Sequence, residues 1–320
     1  MSTTRKKALI ALTAAGALAL AACGDGDGNG GEAGGGGLLE ELQDEGTITV
    51  GFAGEAPYSY EEDGELTGAT VAMHEEIFGA MGIDNVEGEL TDWDALIPGL
   101  NAGRFDAIAA GMSILPDRCA QASFSEPEFM YTTALMVPEG NPDNLTDIDS
   151  VVEAGDSVQM AAMSGAIEAD YAEDLGIDAM LVQGPQDGMD AINAGRADVF
   201  ALTGISLNYM ADNNPDAGVE VTESFVQVID GVEQVGAGGT VFRDEDTELL
   251  DAYNEELATI VEDEETYLGV VGDFGFTAEE RPTGELSTEQ LCEGDLEDAG
   301  GDEANGDDEG ADDDAEGTED

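Results

Sequence analysis

Between residues 38 and 292, short apolar runs alternate with longer stretches that are apolar on one face only. "TITVGFA" (47–53) predicts a strand, and "TVAMHEEIFGAMG" (70–82) a helix. His74 sits in that helix beside two glutamates, which predicts a surface histidine rather than a ligand. Strand and helix patterns keep alternating, which predicts an α/β fold. One pattern occurs twice. "DALIPGLNAGRFDAIAAG" (94–111) and "DAINAGRADVFALTG" (190–204) share "NAGR-x-D" with apolar residues on either side. Each reads as an amphipathic helix, stopped at Gly103 or Gly195, followed by a short buried strand. Arg104 and Arg196 then cap helix ends or pair with surface acids. The repetition predicts two lobes built alike. The strands end at Gly111 and Gly204, and ligands of open α/β sheets bind beyond such strand ends. "MSILPDR" and "ISLNYM" therefore flank a cleft.

The two ends of the chain follow other rules. "MSTTRKKALIALTAAGALALAAC" has a basic start and an unbroken apolar or small run from Ala8 to Ala22. That predicts an export signal over 1–22, too short and wrongly flanked for a membrane span. "LAAC" resembles the bacterial lipobox, in which Cys23 is lipidated and becomes the first mature residue. The anchor would attach the protein to the outer face of the cell membrane without crossing it. Residues 23–37 are glycine-rich and predict a flexible tether. Residues 293–320 are strongly acidic, nearly devoid of large apolar side chains, and predict a disordered tail.

Charge changes the picture further. Cleavage removes three cations and no acid, leaving five arginines, no lysine and 74 acids, a formal charge of −69. Such a chain repels itself in dilute buffer and is screened in molar salt. A saline exterior suits it, and nucleic acid is excluded as a partner. The single histidine and the absence of CxxC leave no zinc spacing, and nothing calls for a metal or cofactor. Two cysteines remain after cleavage. Outside the cell, a Cys119–Cys292 disulfide is expected ahead of two buried free thiols.

"GFAGEAPYSY", "GMSILPDR", "FSEP" and "NAGRADVFALTG" resemble the type II solute-binding proteins of polar amino-acid ABC transporters. The resemblance covers 47–292. It implies a two-lobed type II periplasmic-binding-protein fold with a central ligand cleft and two crossover hinge strands, near "TTALMV" and "EQVGAGGT". Lobe 1 would span 38–133 plus 237–292, and lobe 2 134–236. It also implies a monomeric, non-catalytic carrier that closes on a small zwitterion and delivers it to an ABC permease and its ATPase. "GEAPY", Trp93 before "DALIPGL", "PDRC" and the late "LC" at 291–292 look closest to the ectoine/hydroxyectoine binders.

The resemblance assigns roles residue by residue. Arg118 takes the ligand carboxylate through parallel hydrogen bonds that lysine cannot reproduce. Its alternative is a surface pairing with Asp117. Ser113 and the backbone at Gly111 assist it. Glu55 faces the ring amidinium, its alternative being a solvated loop acid. Tyr58, with an exposed ring after Pro57, and Trp93 form aromatic walls. In lobe 2, Ala166 contributes its backbone N–H at a helix start and Glu168 its side chain. Thr203 stands where amino-acid carriers place an aspartate, which argues against an ordinary α-amino acid. Ser113 argues the other way, because the ectoine binders have a third aromatic there; the box is then incomplete, or a residue such as Phe225 fills it from lobe 2. A polar or cationic amino acid is the alternative solute. A cyclic-acid dehydratase on the same fold, with Glu55 or Glu168 as general acid or base, is the remote one.

Overall fold

The computed structural model describes residues 37–229, 231–284 and 286–294. The signal, Cys23, nearly all of the tether and the tail beyond Gly294 lie outside these residues. Among the described residues no helix is long and apolar enough to cross a membrane.

Two sheets carry the fold. In the first, the strands run 85–90, 47–52, 107–113, 236–242 and 123–124 across the sheet, with 129–131 also pairing to 236–242. Strand Thr47–Phe52 is parallel to both neighbours, whereas Gly236–Phe242 is antiparallel to Ala107–Ser113. All seven residues of Ala107–Ser113 are buried, as the apolar run requires of a central strand covered on both faces. The second sheet runs 180–182, 160–163, 199–203, 133–138 and 219–221, with Thr133–Pro138 antiparallel to its neighbours. The chain passes from sheet to sheet twice, between 131 and 133 and again between 221 and 236. The result is the two-lobed type II binding fold, with lobe 1 around the first sheet and lobe 2 around the second.

The lobes share one plan. In each, the second parallel strand lies outside the first and the third inside it, followed by an antiparallel crossover strand. The "NAGR-x-D" repeat joins helix to third strand in both. Gly103 and Gly195 adopt φ of +67° and +63°, and the next N–H turns back to Gly99 O (3.0 Å) or Ala191 O (2.8 Å). The aspartates then tie the third strand to the first. Asp106 N–H donates to Thr49 O and Asp106 Oδ2 accepts from Thr49 N–H; Asp198 exchanges the same two bonds with Gln159. Each lobe also seats a ring against glycine, but from different positions of the repeat: Phe105 aligns with Ala197, and Phe200 with Ile108. Phe105 lies over Gly51 and Gly99, and Phe200 over Gly188, where no Cβ would fit. Arg104 pairs with Glu89 on the surface.

Two expectations need correction. His74 is fully buried, not on the surface. Its Nε2 and Thr240 Oγ1 share a hydrogen bond of 2.6 Å, and Thr240 Oγ1 and Tyr253 OH both donate to Glu128 Oε1 at 2.6 Å. Burial pushes His74 down to about 3 and Glu128 up to about 7. The third strand of lobe 1 also continues past Gly111 to Ser113, paired with Gly238, so the strand end lies two residues later than the glycine. Cys119 and Cys292 are joined by a disulfide that fastens helix Thr288–Glu293 to the short helix Pro116–Cys119.

Candidate ligand-binding site

Glu55, Tyr58, Trp93, Gly111, Ser113, Arg118, Ala166, Glu168 and Thr203 line one cavity of about 20 Å³, together with Ala110, Tyr131, Met163, Ile167 and Leu202. Residues up to Tyr131 come from lobe 1 and those from Met163 onward from lobe 2, so the cavity lies between the sheets. That volume admits about one water-sized sphere, so any larger solute enters only when the lobes part. A larger groove of about 390 Å³ lies beside the crossovers, lined by Ile114, Leu115, Ile229 and Val232 among others. It has no carboxylate or cation in its wall, and the charge-bearing chemistry sits in the smaller cavity.

Pro116 begins the turn that aims Arg118 inward, its fixed φ suiting the first helical position. Arg118 is 7% exposed. Its Nη1 donates to Ser113 O (2.9 Å) and its Nη2 to Gly165 O (2.6 Å). Its guanidinium lies 5.7 Å from the Trp93 ring centroid. Among the described residues no carboxylate comes within ion-pair distance of it, Asp117 included. Burial pulls its pKa below the ordinary value, against the fields of Asp117 and Asp170.

Across the cavity stand two buried acids. Glu55 follows the first strand of lobe 1, and its Oε1 accepts from Ser206 Oγ of lobe 2 at 2.7 Å. Burial raises it to about 7, partly offset by that bond. Glu168, in the first turn of helix Ile167–Asp174, is fully buried, and neither oxygen receives a hydrogen bond of ordinary geometry. Burial raises it to about 8, with Arg118 pulling the other way and Thr133 nearby offsetting slightly. The Tyr58 hydroxyl and Thr203 Oγ1 are likewise without a well-formed hydrogen bond, although Thr203 lies near enough to offset part of the rise that burial imposes on Tyr58. Orphaned buried polar atoms are costly, and here they converge on one space.

Further expectations are corrected by this geometry. The Tyr58 ring is buried, edge-on to Phe129, Tyr131 and Phe276, and only its cavity side is open. The cation over Trp93 is Arg118, and Trp93 Nε1 donates to Gly165 O at 3.1 Å. The Ala166 N–H is taken by Met163 O (3.1 Å), so it is not a free donor. Phe225 pairs with Thr133 through two backbone bonds and packs against lobe 2; it does not line the cavity. The third aromatic there is Tyr131, whose hydroxyl donates to Gly111 O. Tyr131, Ser206 and Gly165 escaped sequence reasoning. The only hint of Tyr131 was its place one residue before the crossover.

Residues 48–267 match the bacterial extracellular solute-binding proteins, family 3. The probable amino-acid ABC transporter periplasmic-binding protein y4tE of Sinorhizobium fredii (strain NBRC 101917 / NGR234) is 32% identical over 262 residues, spanning 79% of this chain and 85% of its own. The L-cystine-binding protein TcyJ of Escherichia coli (strain K12) is 22% identical over 234 residues, 71% of this chain and 82% of its own. The crystal structure of EhuB in complex with hydroxyectoine superposes with a TM-score of 0.70 at 31% identity, over 79% of this chain and 97% of that one. An ancestral amino acid-binding protein, AncCDT-1, a precursor of cyclohexadienyl dehydratase, shares the fold at a TM-score of 0.64 and 24% identity, over 74% and 99%. With the two-lobed fold and a charged cavity between the lobes, the chain belongs to family 3 of the bacterial extracellular solute-binding proteins.

Proposed function

We propose that the protein captures ectoine or hydroxyectoine and presents it to an ABC permease, held at the outer membrane face through lipidated Cys23. One observation carries the reading. Arg118 is a buried guanidinium without a carboxylate, and it shares a cavity with two buried carboxylates without a cation. A zwitterion satisfies both sides at once: its carboxylate meets Arg118, and its delocalised amidinium meets Glu55 and Glu168. Tyr58, Trp93 and Tyr131 supply aromatic surface, and Thr203 supplies no acid for an α-ammonium. The likeness to the hydroxyectoine-bound structure and the acidic, salt-suited composition support the same solute.

A polar amino acid is the second reading. Ser113 favours it, and so does the likeness to a probable amino-acid carrier. A thermal-shift panel in molar salt separates the two: ectoine, hydroxyectoine, betaine, proline, and polar and cationic amino acids. Ligand at about a thousand times its Kd adds about 4 kcal/mol of stability. A shift with ectoines alone supports the first reading; a shift with amino acids alone replaces it with the second. Turnover of a cyclohexadienyl acid would replace both with an enzyme.

A further inference from the structure

Gly165, in the lobe 2 loop between strand Met160–Met163 and helix Ile167–Asp174, offers one carbonyl to two lobe 1 side chains. Arg118 Nη2 donates to it at 2.6 Å and Trp93 Nε1 at 3.1 Å. Both donors line the cavity. The loop also comes within 3.5 Å of lobe 1 through Ser164 Oγ and Asp94 Oδ2. The residue must be glycine on two counts. Its φ is +77°, and a Cβ there would stand 2.8 Å from Asp94 Oδ1 and 2.9 Å from Trp93 Cδ1. The second constraint exists only when the lobes are together.

We propose that Gly165 is a positioning residue that couples lobe closure to the orientation of Arg118 and Trp93. The inference rests on reading the cavity as the solute site. A guanidinium has five N–H groups in a fixed fork. Ser113 O and Gly165 O take one each, leaving the rest of the fork for a ligand carboxylate. A carboxylate seated on Arg118 holds the fork in the orientation that catches the lobe 2 carbonyl. Closure then needs no further rearrangement of that side chain, so ligand favours the closed form through differential contacts. Trp93, the single tryptophan of the chain, reads the same event through its indole N–H.

The test compares wild type with Gly165→Ala, using hydroxyectoine and glutamine as probes in molar salt. Whichever probe binds wild type should bind Gly165→Ala at least tenfold more weakly, chiefly through faster dissociation. The ligand-induced change in Trp93 emission should shrink with it. A merely structural role would lower Tm while leaving the ligand increment in Tm and the emission change intact, and that result overturns the proposal. Adding Asp94→Ala to Gly165→Ala should recover part of the affinity; no recovery counts against the closed-state clash.

A ligand-free arm keeps this test separate from the identity of the solute. In an Asp94→Cys/Ser164→Cys background, closure is read as the rate of disulfide cross-linking between the lobes. In this background the Asp94 carboxylate is gone, and a Cβ at Gly165 still meets Trp93 Cδ1 at 2.9 Å, so Gly165→Ala should slow it about threefold. Trp93→Phe, which removes one donor without straining the loop, should slow it about threefold and stands in if Gly165→Ala fails to fold. Unchanged rates in both overturn the proposal even if neither probe binds. Slowed rates with no binding uphold it and dismiss the solute reading alone.

Discussion

Lobe 1 and lobe 2 are the same construction carrying different chemistry. Both order their parallel strands second–first–third, and both close the helix-to-strand joint with "NAGR-x-D". They diverge where the third strand ends. In lobe 1 the chain leaves Ser113, passes Pro116 and turns Arg118 back into the cavity. In lobe 2 it leaves Thr203 directly into helix Gly204–Asn213, whose first turn supplies Ser206 to Glu55. The repeat fixes where loops emerge, while the loops decide what is presented. The single cation of the site sits on lobe 1 and one acid sits on each lobe, so opposite charges share one cavity between the lobes. Their interiors differ as well: behind the lobe 1 sheet lies the His74–Thr240–Glu128–Tyr253 network.

The largest test of the shared plan is mechanical. Phe105→Ala and Phe200→Ala each remove a buried ring packed against glycine, and each should cost about 3–5 kcal/mol in denaturant unfolding. Similar losses mean that each lobe holds its helix on a ring of its own, drawn from a different position of the repeat; a loss below ~1 kcal/mol in one lobe would mean that its helix does not depend on that ring.

The disulfide belongs to lobe 1 alone. Its two cysteines are 173 positions apart, and replacing both by serine should cost about 2–5 kcal/mol. Solute affinity should fall too, because the helix carrying Arg118 loses its tie. Chemical denaturation and titration of the same double variant measure both.

pH sharpens the difference in interiors. Glu55 and Glu128 in lobe 1 and Glu168 in lobe 2 have folded values raised to about 7, 7 and 8. The folded state therefore binds more protons than the unfolded one in this range, and ligand-free stability falls as pH rises. His74, lowered to about 3, acts oppositely, but only below its ordinary value near 6.5. Between pH 6.5 and 8 the glutamates dominate, and stability should drop by about 3 kcal/mol. A cationic group in the cavity favours the ionised acids, so solute affinity should rise over the same window. A flat stability profile would mean that these acids ionise freely.

The smallest expected effect separates the two acids. Glu55→Gln and Glu168→Gln should each weaken solute binding about tenfold, a loss of about 1.4 kcal/mol. If calorimetry finds only one of them sensitive, recognition of the cation belongs to that lobe.

Much of this was legible along the chain. The repeat gave the two lobes because each copy is a local joint whose glycine and aspartate act within a few residues or on the adjacent strand. Arg118 and Glu55 were legible through their motif. What failed depended on partners far away in sequence. His74 looked exposed beside Glu75 and Glu76, yet Thr240 lies across its ring nitrogen. Tyr58 looked exposed after a proline, yet Phe129, Tyr131 and Phe276 enclose it. Tyr131, not Phe225, completes the aromatic lining, because the crossover brings its ring over Gly111.

The most direct test is calorimetric titration of hydroxyectoine, with glutamine as the competing class, into wild type and Arg118→Ala in molar salt. One zwitterion should bind per wild-type chain, and Arg118→Ala should weaken it at least a hundredfold, about 2.7 kcal/mol. Native-like affinity in Arg118→Ala would contradict the claim that the unpaired guanidinium between the lobes holds the solute.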